Sequence, residues 1–438
     1  MTVRPGALAL TPLLLFLALF FGAGLYFTAQ GEAMGFYQLR APVAILPALA
    51  LGIWLARRRG LPAQQVLLSG MGESNVMLMC LIFLLAGGFA TVSKAIGAVD
   101  AVVALGLGAL PPALLLPGLF LAAAFVSLSI GTSMGTVAAV APIALGVADA
   151  AGLDRVLVTG AVVGGAMFGD NLSIISDTTI AATRSQGAEM RDKFRENFRI
   201  ALPAAAATAA LLAVLGDPAP VAAPAATSPW LVLPYVLVLV LALAGLDVVL
   251  VLGIGMVVSG LCGFWLADYD AVAFARDVYA GFESMVEITL LSILVGGLAA
   301  LMKAAGGLDW LAQAIARFAR GHTGRRSGEF SIAALSAGAD ALTANNTVAI
   351  LVTGGLARDI AQRHGISPRR AASVLDISAC VVQGVLPYGA QILLAASLAT
   401  VSPLALAGSV HYCWLLALAA IGFMLWPARR SAPAEAGP

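Results

Sequence analysis

Gly52-Ile53-Trp54-Leu55-Ala56 runs into Arg57-Arg58-Arg59, and the same frame returns as Gly263-Phe264-Trp265-Leu266-Ala267 ahead of Asp268-Tyr269-Asp270. A basic flank holds its end of a membrane helix on the cytoplasmic side, whereas an acidic flank is free to cross. The pair therefore reads as two copies of one unit, inserted upside down relative to each other.

Working outward, further matches keep the same order. Glu73-Ser74 meets Glu283-Ser284, Gly87-Gly88 meets Gly296-Gly297, and Lys94, Gly97 and Asp100 meet Lys303, Gly306 and Asp309. Thr136-Val137-Ala138 meets Thr347-Val348-Ala349, Gly152 meets Gly365, and Gly169 meets Gly384. The offset stays near roughly 210 residues and drifts slowly, as duplication followed by short insertions leaves it. The charges flip each time. The loop from Ala95 to Val103 carries only Asp100, while its counterpart from Leu308 to Arg326 carries Arg317, Arg320, Arg325 and Arg326. Arg184, Arg191, Lys193, Arg195 and Arg199 follow Thr183, while the stretch from Ala399 to Gly408 is uncharged.

Composition supplies the solvent. The chain is 61% hydrophobic and 11% charged, against about 25% charged in an ordinary soluble domain. Apolar runs of about the 20 residues that cross a bilayer begin around Leu8, Val43, Val76, Ile200, Trp230, Val249, Ile288 and His411. The first, Leu8 to Phe27, is too long and lacks the small-residue cleavage site of a signal peptide, so it reads as a retained span. A net charge of +1 without a basic block leaves no footprint for nucleic acid. Cys80, Cys262, Cys380 and Cys413 sit in apolar segments without CxxC spacing and read as buried thiols.

These observations predict an all-α polytopic membrane protein of two inverted-topology repeats, 1–216 and 229–438, joined by an external linker, 217–228. Each repeat holds about five transmembrane helices, one re-entrant hairpin and one discontinuous helix, giving ten spans in all. Arg57 to Arg59, Arg184 to Arg199, Leu308 to Arg326, Arg358 to Arg370, Arg429-Arg430 and both termini then face the cytoplasm, with the chain multi-pass in the cell inner membrane. Inverted repeats with broken helices are how secondary transporters build a midplane site.

Polar clusters inside apolar runs locate that site, because non-helical backbone at membrane depth persists only where protein or a wet cavity surrounds it. The hairpin expected from Pro111 to Val147 is interrupted by Gly131-Thr132-Ser133-Met134-Gly135-Thr136. The second hairpin carries Asp340 and then Thr343-Ala344-Asn345-Asn346-Thr347. Side-chain oxygens and freed carbonyls are hard ligands for a small cation. Ser and Thr also glue membrane helices together, but clustering at the matched position of both repeats favours the ligand role.

The next span of each repeat is broken too. In the first, Phe168-Gly169-Asp170-Asn171-Leu172-Ser173 leads to Ser176-Asp177-Thr178-Thr179; in the second, the place is taken by Gln383 to Gln391, with Tyr388 at its centre. A carboxylate at bilayer depth costs about 2.5–3.5 kcal/mol, which makes Asp170 and Asp177 the leading functional residues. Their spacing places them on one face of a continuous helix, and closer if the chain unwinds at Gly169. A Na+ ion and a proton would compete for such carboxylates. The Na+ set is then Thr132, Ser133, Asp170, Asn345, Asn346 and Thr347, and the wider ion- or substrate-binding set adds Asn171, Ser173, Ser176, Asp177, Thr178, Gln383, Tyr388 and Gln391. Gly131, Thr136, Asp340, Glu73 and Glu283 are secondary candidates. Glu73, Glu283 and Glu287 stand near the ends of apolar runs, where capping or interfacial roles compete. Asp376 and Asp359, near Arg358, Arg369 and Arg370, read as solvated charge networks, and His322 and His364 as solvated loop histidines.

No HExxH, GxSxG or cofactor fingerprint occurs, which argues against an enzyme or a cofactor. The implied partners are the lipid bilayer and either a small cation or a small organic solute.

The segment from Gly131 to Thr179, with GTSMGT and FGDNLSIISDTT, resembles the NhaC-type Na+/H+ antiporter family, and so does the stretch from Ala344 to Leu394, with NNTVAI and QGVLPYGAQIL. The resemblance implies a scaffold domain, a transport domain with two hairpins, elevator-like movement and compatibility with a homodimer. Family members carry Ser-Asn-Thr at hairpin tips; here Asn345-Asn346-Thr347 has Asn for the Ser, the first tip lacks the amide, and Met134 replaces a frequent Trp. Na+/H+ exchange through Asp170 and Asp177 is the expected function. The alternative is a Na+- or H+-coupled carrier of a small amino acid or carboxylate held by Gln383, Tyr388 and Gln391. An ion-sized cavity between the hairpin tips favours the first, and one of several hundred Å³ the second.

Overall fold

Thr11–Ala29 forms the first long helix, α1, with Pro12 in the first turn, where its missing N–H costs nothing. The computed structural model describes residues 5–31, 38–102, 111–174, 176–216, 228–320 and 324–426. The expected linker from Asp217 to Thr227, His322 and Arg429-Arg430 lie outside them. Among the described residues the chain is all-helical.

After a short turn at Ala41–Ala44 come α2 (Leu46–Arg58), α3 (Ala63–Met71) and α4 (Ser74–Ala95). The carboxylate of Glu73 caps α4 by accepting from the backbone N–H of Asn75 and Val76, satisfying donors that a helix start otherwise leaves unpaired. A helical hairpin follows, α5 (Leu115–Ile130) and α6 (Ser133–Ala151), then α7 (Arg155–Leu172), α8 (Asp177–Gln186) and α9 (Met190–Leu215). The second half runs α10 (Leu233–Leu243), α11 (Val248–Leu266), α12 (Ala271–Ser284), α13 (Val286–Ala304) and α14 (Gly307–Arg320). Its hairpin is α15 (Arg325–Thr343) and α16 (Asn346–Arg363), followed by α17 (Pro368–Gln383), α18 (Ala390–Ala399), α19 (Pro403–Ser409) and α20 (His411–Leu425).

Among the described residues eight helices are long and apolar enough to cross a bilayer, or nine if α18 and α19, bent by 109°, count as one. Ten spans were expected. The eight include Ser133–Ala151, an arm of the expected first hairpin, and leave out Pro229–Leu241 and His411–Leu425, which are shorter apolar helices, and the expected second broken span at Pro368–Gln383. All four cysteines are free and buried, as expected.

Packing sorts the helices. Of the best span window, 88% is buried in the stretch that contains α7 and α8, against 33% in those of α1 and α9. The broken segment is therefore the interior of the molecule, with α1 and α9 on its lipid side. α5 lies along α7, α15 along α17, α6 against α18 and α8 against α16. On the other side α4 packs on α12, and α3 on α13. Glycine permits both of these contacts: a Cβ on Gly281 would meet the backbone of Gly87 at 2.5–2.6 Å, and one on Gly70 would run into Gly296 and Ala300. Small residues at such crossings let membrane helices approach backbone to backbone.

Candidate functional site

Each hairpin reverses on one left-handed residue. α5 ends on Gly131, with φ 77°, and extended Thr132 leads into α6. In the second hairpin Ala344 takes that position with φ 51°, and Asn345 caps α16 by accepting from the N–H of Val348 at 3.0 Å. Facing these tips are two interruptions, Ser173 to Ser176 between α7 and α8 and Gly384 to Gly389 between α17 and α18.

Tips and interruptions enclose a cavity of about 110 Å³, lined by Gly131, Thr132 and Ser133 of one tip and Asn345, Asn346 and Thr347 of the other. Asn75, Asp170, Ser176, Asp177, Thr178, Gln383 and Gln391 complete its polar lining. The N-termini of α6, α8, α16 and α18 all reach it, and so do the C-terminal ends of α5, α15 and α17. Helix starts carry partial positive charge and helix ends partial negative charge, so the cavity presents both signs.

Asp170 is 3% exposed. Its two oxygens accept from Ser176 Oγ at 2.6 Å and from Ser133 Oγ at 3.3 Å, and Ser176 is itself 2.8 Å from Thr178 Oγ1. Gln391 donates to Ser133 Oγ at 3.1 Å and accepts from Gln383 at 2.6 Å. One hydrogen-bonded chain therefore joins the two broken helices through the first tip. Asn346 of the second tip lies outside that chain, with Nδ2 3.8 Å from Cys380 Sγ of α17. Among the described residues no Lys or Arg forms an ion pair with Asp170.

The two aspartates are not equivalent. Gly169 is helical, packed where a Cβ would collide with Ala124 and Ser127 of α5, and the chain unwinds at Ser173 instead. Asp177 consequently starts a new helix and is exposed, so the two carboxylates do not share a continuous helix, and the break falls after Asp170 rather than at Gly169.

Other candidates lie apart from the cavity. Asn171 donates to the Tyr412 hydroxyl at 2.9 Å, Ser173 to the Leu128 carbonyl at 3.1 Å, and Thr136 to the Thr132 carbonyl at 2.9 Å. Asp340 is fully buried with neither carboxylate oxygen hydrogen-bonded. Glu73 caps α4 as described, and Glu283 is exposed on α12. Tyr388 donates to the Ala341 carbonyl at 2.6 Å and lines two neighbouring cavities.

Asp376 overturns its expected solvation. It is 0% exposed and pairs with Lys193 Nζ at 2.7 Å, itself 1% exposed. Lys193 also donates to Thr179 Oγ1 at 2.5 Å, and Asn197 donates to both Asp376 and the Asn171 carbonyl at 2.8 Å. Asp376 is buried because α9 begins ten residues before its apolar run at Ile200, which carries Lys193 into the protein. Arg370, also read as solvated, is buried against Glu329; Asp359 and Arg358 are exposed as expected. The spacing of Lys193 and Asn197, one helical turn apart, was the signal that could have found this network.

A second cavity of about 450 Å³ adjoins the first, sharing Asn75, Met79, Ala344, Asn345 and Ala390, with Glu73 and Lys303 as its charged lining.

The sequence profile of the Na+/H+ antiporter family matches residues 62–216 and 219–426. The chain is 25% identical over 357 residues to the Na+/H+ antiporter NhaC of Bacillus subtilis, covering 73% of this chain and 76% of that protein. The Na+/H+ antiporter NhaC of Alkalihalophilus pseudofirmus is 23% identical over 330 residues, 67% of this chain and 70% of its own. The malate-2H+/Na+-lactate antiporter of Bacillus subtilis is 27% identical over 250 residues, 53% of each chain.

Proposed function

This chain belongs to the Na+/H+ antiporter family, and from that premise we propose that it exchanges Na+ for H+ through the cavity around Asp170. One observation carries the reading: Asp170 is a buried carboxylate without a partner cation among the described residues, on the wall of a cavity of about 110 Å³. A buried charge must be neutralised, and a Na+ ion or a proton at Asp170 does so equally, so that each displaces the other. A water molecule takes about 30 Å³, so the cavity suits an ion with a few waters, below the roughly 300 Å³ where organic-ligand pockets begin. Ser133 and Ser176 orient the carboxylate, while Thr132, Asn345, Asn346 and Thr347 supply further oxygens from the tips.

The exchange is tested in proteoliposomes with a pH-sensitive dye inside. A Na+ pulse moves protons through the wild type, and Asp170→Asn abolishes the signal. Proton movement that survives in Asp170→Asn sinks the assignment.

The two halves, 1–216 and 229–438, are proposed as inverted repeats around this site. Support comes from contacts that exchange partners: α3 meets α13 as α12 meets α4, and α6 meets α18 as α16 meets α8, the signature of a twofold axis. Loop contacts agree with the expected sidedness. Arg59 bonds the Ala305 carbonyl and Arg325 the Trp426 carbonyl at ends assigned inside, while Arg155 bonds the Ala399 carbonyl at ends assigned outside. Cytoplasmic termini and an inner-membrane location complete the proposal.

A second reading, transport of a small carboxylate, is favoured by the adjoining cavity of about 450 Å³ and by four helix N-termini aimed at the site. Na+-dependent uptake of labelled lactate or malate distinguishes it.

A further inference from the structure

Two cavities stack along α13. The one of about 450 Å³ takes its wall there from Ser292, Val295, Gly296, Ala299, Ala300 and Lys303. The other, of about 350 Å³, takes its wall from the preceding stretch, Glu287, Ile288 and Leu291. At a rise of 1.5 Å per residue, Glu287 and Lys303 stand roughly 24 Å apart, most of the ~30 Å hydrocarbon thickness. Because α13 is long and apolar enough to be a span, the two cavities lie toward opposite ends of that span. The mouth at the Glu287 end is marked by Arg40, 3.4 Å from that carboxylate.

Tyr388 lines both cavities. It is 6% exposed, its hydroxyl is held by the Ala341 carbonyl of the second hairpin at 2.6 Å, and its ring meets Phe16 of α1 edge-on with centroids 6.0 Å apart. The ring is thus anchored at its tip and along its edge, at the level where the α13 lining passes from one cavity to the other.

We propose that the Tyr388 side chain is the partition between an inner and an outer vestibule, and so the residue that keeps transport coupled. With the ring in place, solvent entering at the Lys303 end stops beside Asn345 and Ala390; without it the two cavities join and ions pass unexchanged. The inference rests on the exchanger reading only for the identity of the leaking ion.

The test loads proteoliposomes with a pH dye and imposes a pH gradient with Na+ absent on both sides. Wild type and Tyr388→Phe hold the gradient, since both keep the ring, and Tyr388→Ala loses it. A Tyr388→Ala protein that holds the gradient overturns the proposal. A second measurement needs no transport: Tyr388→Cys is treated with a small membrane-impermeant thiol reagent from each face in turn, with the wild type, whose four cysteines are buried, as blank. Reaction from both faces is expected; reaction from one face or from neither overturns the partition. If the wild type shows no Na+/H+ exchange, the proposed function fails while leak and labelling still decide this inference.

Discussion

Asp170 and the Lys193–Asp376 pair illustrate two fates of buried charge in one interior. Asp170 has no ion-pair partner among the described residues, whereas Asp376 is already neutralised by Lys193. Removing one member of a buried pair strands the other and costs about 3–5 kcal/mol, while replacing both by apolar groups of similar size is often neutral. Lys193→Ala is therefore expected to lower thermal stability sharply, and the double substitution Lys193→Met with Asp376→Leu to restore most of it, both read by thermal unfolding in detergent. Failure of the double variant to recover would mean the pair does more than neutralise. For Asp170, competition sets the sign of the pH response: lowering the pH favours the proton and weakens apparent Na+ affinity, by up to about tenfold per pH unit in the competitive regime. Asp170, Ser133, Asn345 and Asn346 were legible in the sequence because polar residues inside apolar runs demand an explanation. Lys193 was not, since RDKFRENFR reads as a solvated basic stretch until the helix that carries it inward is seen.

At the scale of elements, the hairpin tips and the glycine crossings carry the architecture. Ala344 occupies a left-handed conformation that Gly131 fills in the other hairpin, at a cost of about 1–2 kcal/mol for a residue with a Cβ. Ala344→Gly is expected to raise stability by about 1 kcal/mol, measured by thermal unfolding; a loss would show that the Cβ packing outweighs the backbone. Gly70→Ala and Gly281→Ala should each destabilise by about 1–3 kcal/mol through overpacking, whereas Gly253→Ala, with open space around the added carbon, should be tolerated. Equal tolerance at all three would contradict the close crossings. The positions of both hairpins and both interruptions could be read from Gly, Asn and Pro in apolar surroundings. The unwinding point was misplaced, because Gly169 serves packing against α5 and the break itself falls on Ser173 to Ser176.

For the whole molecule, inversion is the claim with the widest reach. Asp149 near the end of α6 and Gln362 near the end of α16 are both exposed, three residues before the matched glycines Gly152 and Gly365. Asp149→Cys should react with an impermeant thiol reagent from outside the cell and Gln362→Cys from inside; labelling from the same face would mean parallel copies. Most of the long apolar helices were available from the apolar runs, and the charge pattern supplies the sidedness that this labelling tests. The cavity sizes were not, because they depend on how far the tips approach.

The central claim is that one carboxylate holds either Na+ or a proton. Its most direct test is a Na+ titration of the purified protein in weakly buffered detergent solution, with released protons followed by a pH indicator. The account predicts that the wild type releases protons in step with Na+ binding and that Asp170→Asn does neither. Saturable Na+ binding with unchanged proton release in Asp170→Asn would contradict it.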